Sequence, residues 1–319
     1  MMLIPLVLSL ALTQDRQPVK TSSDVLSTYE IRDLLPKLPG EDTATELDSQ
    51  IAKELARQRG AAIDFLSTIL AQEVQPPAKS SQWMLRITPS GTLVLHATPE
   101  QHDWARAFLE RIRHQEPRVQ FDTTWIEGPK GAYHKMGLPE GSSASVIDAK
   151  ERERLLALGK DDPRFEVLQR PSLTLNPLAV GTLSVGQQLS YVKNYKLETV
   201  QPGDAKIADP QIETVLEGLE LQPIALVLDG GKIALDIAAS TTTVRRPIPT
   251  KTLRLSPDYP TEVTVAMPEI DRKSVQARCT LAPEGTVAFC VPVAGKEDRE
   301  MLILSRARAA PAAGSVLPR

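Results

Sequence analysis

Cysteine is nearly absent. The 319 residues hold two, Cys279 and Cys290, which excludes a disulfide-dense scaffold and a cysteine-built zinc module. Aromatic residues are 4% of the chain and the net charge is −3, with no basic stripe carrying interleaved aromatics, so nucleic acid is not an expected partner. No apolar run is long enough for a transmembrane helix. Nucleophile elbow, phosphate loop and dinucleotide fingerprint are all missing, and the glycines of GTLSVG follow a β-pattern and precede no helix. The four histidines, His96, His102, His114 and His134, form no His-Glu-x-x-His or comparable pair. His96 falls on a strand, His102 and His114 flank the polar face of a helix, and His134 lies in a loop. The expectation is a non-enzyme with no catalytic, cofactor-binding or metal-ligating residues and no cofactor.

Three carboxylates were weighed against that expectation. Asp161 and Asp162 follow Lys160 and read as a solvated loop after a helix rather than a calcium or catalytic pair. Asp236 stands inside the apolar run IALDIAAS, and strict alternation sends it to the face opposite Ile233, Leu235 and Ile237, toward water.

At the N-terminus, MMLIPLVLSLALTQ carries an apolar run from Leu3 to Leu12 that ends in small residues and is too short to span a bilayer. It reads as a signal peptide over residues 1–11, with Ser9 and Ala11 at the positions that favour small side chains. No Lys or Arg precedes the run, which leaves an N-terminal strand or core helix as the other reading. Residues 12–27 are polar and patternless, a linker, and residues 310–319 read as a disordered tail.

Between these ends the patterning changes once. Residues 28–126 read as a small α+β module: a strand in TYEIRDLL, helix from Thr45 to Val74 divided or bent at Gly60, a hairpin in WMLRITPSGTLVLHA, then a helix. That last helix has Thr98 as its cap, Pro99 in its first turn and Gln101 where a capping box wants Glu or Gln. Trp104, Phe108 and Ile112 form its buried stripe, and RVQFDTTWIE begins the next strand. After Gly128 come a loop, GPKGAYHKMGLPEGSSAS, and a charged helix, VIDAKERERLLALG; residues 168–305 are strand-like. The fold class expected is α+β, a βαββα-type N-terminal domain followed by a mostly antiparallel β-domain over 127–309.

Two hairpins were read in that β-domain. IALVLDGGKIALDIAAS turns at Gly230 and Gly231 and sets Asp229 against Lys232, Leu228 against Ile233 and Leu226 against Leu235. In SVQARCTLAPEGTVAFCVPV a three-residue loop with Gly285 left-handed puts Val275, Ala277, Cys279 and Leu281 on one face with Val287, Phe289, Val291 and Val293, leaving Cys290 on the other. A two-residue loop would instead set Cys279 opposite Cys290 and permit a disulfide. The first register is preferred. Gly181 and Gly186 mark either bends of the sheet or plain turns.

Taken in order, these segments resemble the secretin family, the ring-forming outer-membrane channels of type II and type III secretion and type IV pili. LVLHATPEQHDWARAFLERIR resembles the strand, Thr-Pro-Glu turn and helix of the family's ring-building N-domains, and RVQFDTTWIE the strand that enters the secretin domain. LLALGKDDPRFEVLQRPSLTLNPLAVGTLSVGQQLSYV, LEGLELQPIALVLDGGKIALDIAAS, VQARCTLAPEGTVAFCVPV and MLILSRARA resemble its later blocks. The resemblance covers residues 28–308. It implies an exported protein of the periplasm or outer membrane of a Gram-negative-type bacterium, partnered by copies of itself in a ring, by other secretion-system components and by the outer membrane. The alternative is a soluble periplasmic scaffold or binding protein that keeps the fold without a pore. Two departures stand out: Phe289-Cys290-Val291-Pro292 replaces the family's glycine pair, and only AGKEDRE separates Val293 from Met301, where the family carries a Pro-rich segment.

Overall fold

The computed structural model describes residues 24–37, 49–74, 83–114, 117–139, 144–200, 205–256, 259–293 and 295–310. The expected signal peptide, the linker up to residue 23 and the tail beyond 310 lie outside the described residues. The N-terminal part contains β1 (Val25–Glu30), α1 (Ser49–Glu73), β2 (Met84–Ile87), β3 (Thr92–Ala97) and α2 (Pro99–Arg113), with an antiparallel sheet in the order β1-β3-β2. The capping box on α2 is complete: Thr98 Oγ1 accepts from the Gln101 N–H, and Gln101 Oε1 accepts from the Thr98 N–H. Helix α1 runs unbroken through Gly60, correcting the expected division. One internal glycine costs a helix about 1 kcal/mol, and burial of Ala62, Phe65, Leu66, Ile69 and Leu70 on one face outweighs it.

β1 begins at Val25, so the last residues assigned to the linker are strand. Val25 and Leu26 are exposed and give no apolar alternation to read. What holds them is pairing with β3 and His102, which is buried rather than set on the polar face of α2. Tyr29 Oη lies 2.7 Å from His102 Nδ1, and His102 Nε2 lies 2.7 Å from the Val25 carbonyl oxygen. Imidazole Nε2–H donating to that carbonyl, with Nδ1 accepting from the tyrosine, satisfies all three groups.

The remainder comprises β4 (Arg118–Pro129), α3 (Ala132–Lys135), β5 (Ala144–Ile147), α4 (Ala149–Asp161), β6 (Glu166–Gln169), β7 (Ser172–Leu175), β8 (Leu183–Val200), β9 (Ala205–Val227), β10 (Ile233–Val244), β11 (Thr250–Ser256), β12 (Tyr259–Ala266), β13 (Ile270–Leu281), β14 (Thr286–Pro292) and β15 (Arg299–Ala310). His134 therefore sits in the short helix α3, and Val146 and Ile147 belong to a strand before α4 rather than to the helix itself. Asp148 sets that boundary, because its carboxylate caps α4 by accepting from the Glu151 N–H. One antiparallel sheet has the order β5-β14-β15-β4-β6, with β7 also on β4; a second has the order β13-β10-β9-β8; β11 and β12 form a separate hairpin. The division expected at residues 126/127 falls inside β4, which pairs with β15, β6 and β7 and so belongs wholly to the larger sheet.

Both expected registers are corrected. At Gly230 and Gly231, Ile233 pairs with Val227 and Leu235 with Ala225, a slip of one residue. Leu228 N–H donates to the Lys232 carbonyl, and Asp229, Gly230 and Gly231 make a three-residue turn with φ of 70° and 72° at its two glycines. The segment around Pro283 is no hairpin. β13 pairs with β10, β14 pairs with β15 and β5, and the chain arches from one sheet to the other. In the arch the left-handed residue is Glu284 at φ 61°, in place of Gly285. The residues read as one face do share a core: Val275, Leu281, Val287, Phe289 and Val291 meet in it across the two packed sheets, with Cys279 and Val293 at its margin.

Four layers result. The two sheets enclose the core that holds Phe121, Trp125, Leu235 and Phe289. The far side of the larger sheet packs on α3 and α4 through Ile126, Tyr133, Leu155 and Phe165. The far side of the second sheet offers Ile224, Leu226, Leu228 and Ala234 to a core shared with Phe65, Leu66, Ile69 and Leu70 of α1 and Phe108, Leu109 and Ile112 of α2. The end of β9 from Ile224 to Val227 and the start of β10 from Ile233 to Ile237 are buried on both faces, which explains their near-continuous apolar runs.

Candidate functional site

β8 and β9 are much longer than their neighbours. Pairing of β9 with β10 ends at Gly218↔Thr242, yet pairing of β8 with β9 continues from Gly186↔Gly218 to Val200↔Ala205. A two-stranded ribbon of about 45 Å therefore projects past the sheet. Two glycines stand where the third strand stops. Gly186 and Gly218 are directly opposed, and a Cβ on Gly218 would lie 2.2 Å from the Val185 carbonyl oxygen and 2.5 Å from the Gly186 Cα. Gly218 also has φ of 150°, so only glycine suits the position.

Gly218→Ala is expected to lower stability by about 2 kcal/mol or more, since both neighbours are backbone and cannot rotate away. Gly230→Ala, in open space at φ 70°, is the control and is expected to lose about 1 kcal/mol. Urea midpoints of the two variants check this; equal losses would mean that the close approach carries no weight.

Gly186 lies inside β8 opposite Gly218, so it is not a turn. Gly181 precedes β8 and packs by its side-chain space against Leu173 and Leu175. Gly218 was missed, although a lone glycine inside the strand run LEGLEL was the available signal. The second sheet ends in two unpaired borders: β8 bonds to β9 alone and β13 to β10 alone among the described residues, with β12 lying beside β8 without pairing. Ser184, Gln188, Ser190, Lys193, Asn194, Lys196 and Glu198 are exposed along β8.

The other sequence candidates lie elsewhere. Asp162 caps the end of α4 and holds Arg164, whose Nη2 is 2.7 Å from Asp162 Oδ2. Asp236 does not face water. It is 5% exposed on the helix-facing side of β10, where Arg278 Nε donates at 2.9 Å and Gln276 Nε2 at 3.0 Å, and Arg278 continues to Asp64 and Thr68 of α1, each at 2.7 Å. His114 caps the end of α2, and His134 Nδ1 lies 3.1 Å from the Leu138 carbonyl oxygen. No group of three or more potential metal ligands occurs among the described residues.

Cys279 and Cys290 are free thiols in different cores, one between the sheets and one toward α3 and α4. Burial, with the Glu300 charge adding to it, pushes the Cys290 thiol up to about 12, and burial followed by Asp236 raises Cys279, so neither is poised as a thiolate.

The described chain is thus an antiparallel β-protein with helices, whose second sheet is open at both borders and extends into a two-stranded ribbon. No helix among the described residues is long and apolar enough to cross a membrane, which says nothing of passage by strands. No family model matches the chain, and no curated protein matches it. Among solved structures it is similar to the secretin-domain β-barrel of InvG from the Salmonella SPI-1 injectisome: 12% identity, 92% of this chain and 89% of that chain covered, TM-score 0.32. It is also similar to a chain of the Klebsiella pneumoniae type II secretion outer membrane complex of PulD, PulS and the PulC HR domain, at 11% identity and TM-score 0.32. That match covers 94% of this chain and 52% of the other, so this chain spans about half its length. The secretin PilQ of the Vibrio cholerae type IV competence pilus matches at 11% identity and TM-score 0.29, covering 76% of this chain and 74% of that one.

Proposed function

We propose that the chain is an exported, secretin-like component of a type II or type III secretion or type IV pilus system, contributing to an oligomeric ring in the periplasm or outer membrane. It acts as wall and gate and performs no bond chemistry. The observation that carries this reading is the second sheet: β8 and β13 each leave one border of backbone donors and acceptors unpaired among the described residues, on opposite sides. Unpaired borders invite strand addition, and copies joined β8 to β13 would close on themselves as a ring. The ribbon that β8 and β9 form beyond Gly186 and Gly218, outside the pairing with β10, is the part able to reach across a lumen.

Electron microscopy of detergent-solubilised protein tests the reading, with closed rings the expected result. Monodisperse monomers at high concentration would replace it with a soluble periplasmic scaffold of similar fold. That second reading draws on the exposed polar face of β8, with Ser184, Gln188, Ser190, Asn194, Lys196 and Glu198.

A further inference from the structure

We infer that Glu217 is a latch that fastens the β8–β9 ribbon and the base of the β11–β12 hairpin to the same end of β10, so that the two loosen together. The inference rests on the gated-ring reading and adds a regulatory contact to it. Glu217 immediately precedes Gly218, where the pairing of β9 with β10 ends, and its side chain is only 15% exposed. Its Oε1 accepts from the backbone N–H of Val244 at 3.0 Å, and its Oε2 receives the guanidinium of Arg246. Val244 is the last residue of β10, so the carboxylate grips the point where the chain leaves the sheet to enter the hairpin.

The hairpin is closed at its own base. Arg245 N–H donates to the Glu269 carbonyl at 2.9 Å, the Arg245 guanidinium meets the Glu269 carboxylate at 2.6 Å, and Met267 N–H donates to the Pro249 carbonyl at 2.8 Å. Along the hairpin Val263 and Val265 are buried, and β12 lies beside β8. Moving the ribbon off the sheet carries Glu217 with it. Val244 stays with β10, paired to Ile270, so a mostly buried carboxylate then loses a charged partner and a backbone donor together, and such charge-assisted bonds are the strong ones.

Hydrogen exchange on the full chain tests this with Glu217→Ala and Arg246→Gln. Opening of residues 187–198 and 207–216 and of residues 250–256 and 259–266 is expected to rise together by about tenfold, while β4, β14 and β15 keep their protection. Arg246 is 53% exposed, so its variant folds even where the glutamate variant does not. Loosening of one hairpin alone, or of neither, overturns the latch. Because exchange is read on the protomer, joint loosening in a chain that forms no rings would sustain the latch while ending the channel reading. Rings without joint loosening would end the latch alone.

Discussion

Arg278→Met is expected to destabilise the protein by about 3–5 kcal/mol, the usual loss when one partner of a buried ion pair is removed. Asp236 would keep the Gln276 amide but lose the guanidinium, its side chain being 7% exposed and far from water. The same guanidinium holds Asp64 and Thr68 of α1, so the variant also unties the helical part from the sheet. Asp64→Ala is expected to cost no more than about 1 kcal/mol, because that carboxylate is 70% exposed. The double variant Asp236→Asn/Arg278→Met should recover part of the loss, since no charge then remains buried alone. Urea denaturation measures all three, and a single-variant loss near 1 kcal/mol would mean that Asp236 does not depend on Arg278.

The second large effect concerns Glu127, whose side chain is 5% exposed between Lys296 Nζ and Arg299 Nε, each 2.8 Å from its Oε1. Burial raises this carboxyl, yet the hydrogen bonds and charges of Lys296 and Arg299 outweigh it and hold the group below its ordinary 4.5. A depressed folded value means that the pair's stabilisation is fully present above 4.5 and is lost as pH falls through the folded value. Removing both cations, Lys296→Met/Arg299→Met, leaves a buried carboxylate with neither charge and is expected to cost about 3–5 kcal/mol at neutral pH. Without them desolvation alone acts on Glu127, so the carboxyl protonates readily and the deficit against the wild type narrows as pH falls. Urea midpoints followed from neutral pH down through the carboxylate range check both parts; a deficit independent of pH would locate the damage in packing instead. The pair also explains how the short connection AGKEDRE is held, since Lys296 and Arg299 fasten it to β4.

Much of the fold was legible because local chemistry wrote it. Thr98, Pro99 and Gln101 start α2 by contacts within four residues, and the hairpin of β2 and β3 needs only its turn and its alternation. Alternation tells which side chains share a face but not which strand lies alongside, and that is why β13 and β14 read as a hairpin when they face each other across a core. The slip at Gly230 has the same origin: next to the turn, 223–228 and 233–235 are apolar on both faces, so no polar row penalised the wrong register. Asp236 was sent to water for want of a visible partner, and the helix residue that reaches its arginine, Asp64, lies 214 residues before Arg278. His102 was misplaced likewise, its acceptor being a carbonyl 77 residues away on a strand without apolar rhythm.

The core that Phe65, Leu66, Ile69 and Leu70 share with Ile224, Leu226, Leu228 and Ala234 has a consequence for substitution. Part of the interior of each stretch is supplied by the other, so a change of side-chain size on one partner calls for an answering change on the other.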